Sequence, residues 1–407
     1  MLTSIFGVPQ QVFILPFQGQ HRLLTGHPSA PVVDGQPEKP VTAEGIVRIS
    51  VPMNKRASIQ SIRIVFRGSS RTDRLEKGIM MTEDETLIEQ EERFNYLTIP
   101  PWSQQTNSID ITFRFVIPAE LVPLLPPSTE APLSDRSPKQ GGYIRYSVTA
   151  IVEGHPGLFG GNEAIQKATE YIRYEHYHPH HIARVLAPLQ QECRKESAPG
   201  KGILKYISVI YRTVFAPEDE MVFGFQCGPW EGSSLTCKSV AIKLLETRTL
   251  YSRYNRAFEG GTNGSSLSAA SRPTPHTSTV TLFEWDQTVK FENEFAKPHK
   301  MRLYVPSASI LNGGNLYLSD DPRVNPSHHS DFIHITHEAH MYFIMPGGDK
   351  ITIKFPILIV SASKEHSRSY AASYPEIIKN AIAPSEAGLI ADKLVPKYSA
   401  AAKTEQL

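Results

Sequence analysis

A chain of 407 residues with 42 basic and 41 acidic side chains has a formal net charge of +1, so no global field draws it to nucleic acid or to an acidic lipid surface. Hydrophobic residues at 40% and charged residues at 20% supply enough apolar side chain for real cores, and the length suggests two sizeable domains plus tails. Cys193, Cys227 and Cys237 form no CxxC pair, which points to reduced thiols in the cytosol acting as filler rather than as reactive groups.

The N-terminal "MLTSIFGVPQQVFILPFQGQ" lacks a basic n-region and is interrupted by Pro9, Gln10 and Gln11, so it is not expected to act as a secretory signal. No apolar run approaches the roughly 20 residues that span a bilayer. Strand-like runs then dominate. "GIVRISVP" (45–52) alternates, and "SIQSIRIVFRG" (58–68) puts Ile62, Ile64 and Phe66 on one face with Arg63 and Arg67 on the other. Residues 84–97, "DETLIEQEERFNYL", are read as an acidic strand pair or loop. "SIDITFRFVIP" (108–118) and "GYIRYSVTAIVEG" (142–154) follow, separated by Pro, Gly and Ser clusters in the manner of an antiparallel sandwich.

Around 178–200 the alternation stops, and this stretch reads as a connector. A second set of strands occupies 203–215, 221–227, 237–251, 277–285 and 300–306, interrupted by a low-complexity loop at 259–278. "DFIHITHEAHMYF" (331–343) alternates with period two and ends at the turn "MPGGDK", after which "ITIKFPILIV" supplies the last strand. Beyond about residue 363 the chain turns polar and Ala-rich. The expected organisation is an N-terminal β-sandwich at 10–177, a connector at 178–200, a C-terminal β-sandwich at 201–363 and a flexible tail at 364–407.

Two histidine runs raise the question of a metal. On a strand, His334 and His340 point one way and His337 the other, so the three imidazoles do not converge. His176, His178 and His180 alternate in "YEHYHPHHI" but bring no Cys or carboxylate at ligand spacing, so a solvated strand end is the plainer reading. No metal, cofactor or catalytic residue is expected, since GxGxxG, GxxxxGK[ST], HExxH and GxSxG patterns are all missing. Arg63, Arg67, Arg71 and Arg74 form the densest basic stretch, readable as the solvated face of a sheet or as an anion-binding face for phosphorylated tails or phosphoinositide head groups. Interleaved aromatics for stacking on nucleic acid are missing there.

Several of these stretches together resemble the arrestins. "GIVRISVPMNKRASIQSIRIVFRG" resembles the early N-domain hairpin. "ITFRFVIPAELVPLLPPS" followed by "GGYIRYSVTAIVEG" is the closer match, through Phe115, Pro118, Leu125, Pro126, Ser128, Tyr143 and Tyr146. "IHITHEAHMYFIM" with "ITIKFPILIV" resembles the closing hairpin of the arrestin C-domain. The likeness runs in order through most of residues 10–363 and is greatest to the fungal α-arrestins, the arrestin-related trafficking adaptors. The long "LVPLLPPS" run and the 259–278 insertion depart from the pattern, and the charged phosphate trigger of visual and β-arrestins finds no match.

The resemblance implies an all-β chain of two tandem immunoglobulin-like sandwiches without catalysis. It implies a cytoplasmic adaptor, recruited to plasma membrane or endosomes, that links transporter or receptor cargo to a HECT-type ubiquitin ligase. In the tail, Val395-Pro396-Lys397-Tyr398 resembles the Pro-Pro-x-Tyr ligand of WW domains, and Lys379, Lys393 and Lys403 are nearby candidates for ubiquitin attachment. An anionic lipid surface is a further expected partner for the arginine face. The alternatives are a cargo-sorting scaffold of the same fold that works without a ligase, and a carbohydrate-binding or carbohydrate-active sandwich.

Overall fold

The computed structural model describes residues 11–16, 22–25, 41–51, 56, 59–76, 78–103, 107–118, 121, 124–132, 140–156, 162–176, 189–196, 203–229, 233, 237–252, 275–288, 299–308 and 324–361. The N-terminal half holds β1 (Gln11–Pro16), β2 (Arg22–Thr25), β3 (Thr42–Ser50), β4 (Ile59–Glu76), β5 (Ile79–Asn95), β6 (Ser108–Val116), β7 (Thr129–Pro132), β8 (Gly141–Pro156) and β9 (Asn162–His176). The C-terminal half holds β10 (Leu189–Glu196), β11 (Ile203–Ile210), β12 (Val214–Phe215), β13 (Glu220–Pro229) and β14 (Ser239–Leu250). It continues with β15 (His276–Thr288), β16 (His299–Tyr304), β17 (His328–His329), β18 (Ile333–Ile344) and β19 (Lys350–Ile359). No helix among the described residues is long and apolar enough to cross a membrane.

Alternation builds the first pair of sheets. In the three-stranded sheet β1-β3-β6, Val47 and Ile49 of β3 and Ile109, Ile111, Phe113 and Phe115 of β6 turn inward. The facing sheet runs β2-β9-β8-β4-β5, with β7 beside β8. Its Ile62, Ile64, Phe66, Ile144, Tyr146, Val148 and Ala150 enter the same core. Side chains of two sheets filling one layer is the β-sandwich arrangement. Tyr146 anchors it: its hydroxyl donates to the Pro126 carbonyl at 2.7 Å and its ring lies 4.8 Å from that of Tyr174. Ser128 hooks the same segment onto β9, donating its N–H to the Tyr174 carbonyl and accepting the Tyr174 N–H on Oγ at 2.8 Å. Pro126 and Ser128, at the end of the Leu-Pro-rich stretch, are therefore held by two core tyrosines.

The second pair consists of the sheet β10-β11-β13-β16 and the sheet β12-β19-β18-β14-β15, with β17 beside β18. Phe223, Phe225, Phe343, Phe355, Ile242 and Met341 fill the layer between them. Strand neighbours are antiparallel except β2 with β9 and β12 with β19. The first core does not stop at its own sheets: Leu250, Phe332, Ile333 and Ile335 from the C-terminal half join it. Gly142 makes room for that contact, since a Cβ there would lie 2.7 Å from Ile333.

Three local readings differ from the structure. Leu189–Glu196, inside the stretch taken as a connector, forms β10 and pairs along its whole length with β11. Its sequence LQQECRKE carries a single aliphatic residue, so the period-two signal was missing. The run 203–215, read as one strand, breaks after Ile210, and Val214–Phe215 joins the opposite sheet beside Leu358 and Ile359. Arg212 bonds to Asp219 at 3.3 Å across that corner, with no Gly or Pro to announce it. The acidic run 84–97 is mostly strand, as the long outer strand β5, whose charged side chains discourage edge-to-edge pairing.

Candidate functional site

The outer face of the six-stranded N-terminal sheet forms an open groove of about 500 Å³. Period two along β4 aims Arg63, Val65, Arg67, Ser69 and Arg71 into it, while β8 adds Tyr143, Arg145, Ser147 and Thr149, and β9 adds Lys167, Thr169 and Tyr171. Between Gly68 and Ser69 the pairing with β5 shifts: Gly68 faces Ile88 and Ser69 faces Thr86, leaving Leu87 as the extra residue of a bulge. The bulge flips the parity of β5, which is why both Glu89 and Asp84 line the groove.

Charge on this face is partly compensated, and unevenly. Arg63 is held hardest: it bonds Glu91 at 2.7 and 2.9 Å and Glu153 at 3.0 Å. Those carboxylates raise its pKa above the usual arginine range, and the Arg63 guanidinium in turn lowers that of Glu91. Glu153 is buried and also takes Arg93 at 2.9 Å and the Ser61 hydroxyl at 2.6 Å, so the Arg63 end of the groove is a closed network. Arg67 sits 3.6 Å from Glu89 with both side chains about half exposed. Arg71 bonds Asp73, whose carboxylate raises the arginine's pKa. The half-exposed Arg67–Glu89 pair is of the kind worth about 0–1 kcal/mol, so an anionic ligand can displace it at little cost. Arg145 bonds Glu130 at 2.8 Å while its guanidinium stacks 4.1 Å over Tyr143, and burial raises the pKa of Glu130 despite that partner. Lys167 is exposed on the far side. The groove can therefore offer Arg67, Arg71 and Lys167 to an anion, with serine, threonine and tyrosine hydroxyls beside them.

Of the four arginines singled out in the sequence, three line this groove and Arg74 does not. Arg74 lies at an even position, so its side chain turns to the opposite face, where it is 1% exposed and bonds Glu83 at 3.1 Å. It belongs to the interior and not to the anion-binding face. In the 331–343 run, His337 is buried on the core side while His334 and His340 lie on the other face, so the three rings are split as the period predicts. Val395, Pro396 and Tyr398, the tail lysines, the 364–407 tail and His178 and His180 lie outside the described residues.

A second constellation went unrecognised in the sequence. Glu246 of β14 is fully buried and accepts four hydrogen bonds: from Arg248 Nε at 2.5 Å, His337 Nε2 at 3.1 Å, and the Asn325 N–H and Nδ2 at 2.9 Å each. Burial opposes ionisation here, yet these donors outweigh it and hold the pKa of Glu246 at about 2. His337 Nδ1 meets Ser327 Oγ at 2.8 Å, and Asn325 Oδ1 accepts the backbone N–H of Glu130 at 3.2 Å. Hydroxyl, imidazole and carboxylate in line have the order of a hydrolase triad, but the surroundings differ. Ser327 Oγ also accepts the Ile359 N–H at 2.9 Å, and His337 is 2% exposed, so no substrate reaches the line. It braces the two halves, since Glu130 belongs to β7 and the other members to the C-terminal half. A signal for it was present. Glu246 and Arg248 share their parity with Ile242, Leu244 and Leu250, and His337 shares its own with Ile335 and Met341, which places charge on the apolar faces.

Compared with known proteins, the chain matches no protein-family model and no curated protein.

Proposed function

We propose that this chain is a non-catalytic adaptor with two tandem arrestin-like sandwiches, which holds an anionic segment of a membrane-protein cargo in the N-terminal groove and presents its tail to a ubiquitin ligase. The observation that carries the reading is the groove itself. Cations and hydroxyls from three strands face one open, shallow surface of about 500 Å³, the kind of site that takes an extended acidic or phosphorylated segment. Support for the tandem arrangement comes from two hydrophobic cores, each filled from two sheets, joined by Leu250, Ile333 and the Glu246 network. The sorting scaffold without a ligase shares this groove and differs only in the tail.

The test is titration of a fluorescent phosphoserine peptide and its unphosphorylated form into the whole protein, at two salt concentrations. Tighter binding of the phosphopeptide, weakened by salt and lost in Arg67→Glu/Lys167→Glu, supports the groove. Arg63→Glu is a poor choice, because it sets a new negative charge beside Glu91 and the buried Glu153. Equal binding of both peptides, or no response to the double substitution, removes the anionic ligand.

A further inference from the structure

The acidic run of β5 carries two hydroxyls on the groove face, and they meet opposite charges. Thr82 donates its hydroxyl to the Asp73 carboxylate at 2.6 Å. Thr86 instead accepts from the Arg67 guanidinium, Nη2 to Oγ1 at 2.8 Å, and its side chain is exposed. Thr86 lies directly across from Ser69, and on β4 Ser69 stands midway between Arg67 and Arg71 on the same face. Two residues of strand span about 6.6 Å, so both guanidinium groups lie within side-chain reach of that hydroxyl. The carboxylates they meet are Glu89, 3.6 Å from Arg67, and Asp73 and Asp84, 3.1 and 4.0 Å from Arg71. A phosphate on Thr82 would face Asp73. One on Thr86 would face two arginines.

The sequence around Thr86 suits an enzyme that would modify it. Glu83, Asp84 and Glu85 precede it and Glu89, Glu91 and Glu92 follow it, a run that a protein kinase with a basic substrate cleft selects by charge. Among the described residues β5 pairs with β4 alone, so its outer edge is open and the chain there is already extended. The bulge at Leu87 interrupts the ladder at the next residue, which eases the lifting of Thr86 into a cleft. We propose that Thr86 is a phosphorylation site for an acid-directed protein kinase, and that its phosphate occupies Arg67 and Arg71 and closes the groove to other anions. In the transfer, the Thr86 hydroxyl oxygen attacks the γ-phosphorus of ATP and the bond from that phosphorus to the β–γ bridging oxygen breaks. ADP leaves, and the hydroxyl proton passes to the kinase's catalytic carboxylate. The product carries a charge of about −1.5 to −2 at neutral pH and three acceptor oxygens, which suit arginine forks. Glu89 brings a single charge to Arg67 and is displaced. Tethered at the rim, the phosphate competes with an outside ligand at an effective concentration on the order of millimolar. Closure matters only if the groove binds anions as proposed above, whereas the pairing of phosphate with arginine holds either way.

The experiment uses the full folded chain, ATP and casein kinase 2 as the acid-directed kinase. Trypsin, cutting after Lys77 and Arg93, releases residues 78–93, in which Thr82 and Thr86 are the only hydroxyl side chains, so fragmentation in the mass spectrometer assigns the phosphate. It is expected on Thr86. Phosphate on Thr82 in its place, or none on this peptide, would overturn the proposal. The pairing is read by phosphorus NMR. Phosphothreonine with a second pKa of about 6 when free should titrate about half a pH unit or more lower in the parent than in phosphorylated Arg67→Gln, because the cation favours the dianion. Equal titration in the two would overturn the pairing. Closure is read with the fluorescent phosphoserine peptide, whose binding should weaken about tenfold or more on phosphorylation, while kinase treatment of Thr86→Ala should leave that variant's affinity where it was. Unchanged binding by the phosphorylated parent would overturn closure. Failure of the unmodified chain to bind the peptide would remove the groove reading instead, and the phosphate map and the phosphorus titration would still decide the Thr86 site.

Discussion

Replacing Glu246 by glutamine keeps the size of a buried side chain and removes its charge, and the structure sets what that should do. The carboxylate receives four donors and has a pKa of about 2, against 4.5 for a free glutamate. A carboxyl whose folded pKa is depressed stabilises the fold when ionised. Its contribution is complete above pH 4.5 and is lost as pH falls towards 2. At 1.36 kcal/mol per pKa unit, the interval corresponds to about 3 kcal/mol. That agrees with the 3–5 kcal/mol or so that follows from stranding one partner of a buried ion pair, here Arg248 beside His337. Glu246→Gln should therefore be less stable than the parent by about 3 kcal/mol at pH 7, and the two should converge as pH falls below 4.5. Urea unfolding at a series of pH values, followed by circular dichroism, measures both quantities. A gap under about 1 kcal/mol at pH 7, or one that does not narrow between pH 5 and 3, would refute the reasoning.

Gly68→Ala places a Cβ 2.6 Å from the Tyr146 ring and 2.9 Å from Ile88. It should destabilise the N-terminal half by about 1–3 kcal/mol, as overpacking does, read from the shift of its urea midpoint. Tyr146→Phe removes the buried bond to the Pro126 carbonyl. A loss of about 1–2 kcal/mol is expected, with enhanced hydrogen exchange near Ser128 as the local readout. Arg74→Gln should lower the melting temperature, whereas Arg67→Gln should leave it within a degree or so, because only the first removes a charge from a buried pair. Outside the described residues, a peptide of residues 388–407 should bind the WW domains of a HECT-type ligase and lose that binding on Tyr398→Ala; equal titration curves for the two peptides would favour the scaffold without a ligase.

What the sequence determined by itself is what period two determines. Alternation along 58–68, 108–118, 142–154 and 331–343 was enough to place Ile64, Phe113, Val148 and Met341 inside, Arg63 and Arg67 outside, and His337 opposite His334 and His340. The side-chain direction of a strand residue depends only on its parity, so this much is local. Parity would also have sent Arg74 inward with Ile62 and Phe66, had the four arginines been judged by face and not by density. Contacts between strands distant in the chain were not legible. The bulge at Leu87 changes which acids of β5 face the groove, and the corner after Ile210 moves Val214 to another sheet. Glu246, Arg248, His337 and Asn325 meet across 91 positions of sequence. Each of those contacts depends on how sheets are stacked and which strands are neighbours, and a one-dimensional pattern fixes the face a side chain takes but not the partner it finds there.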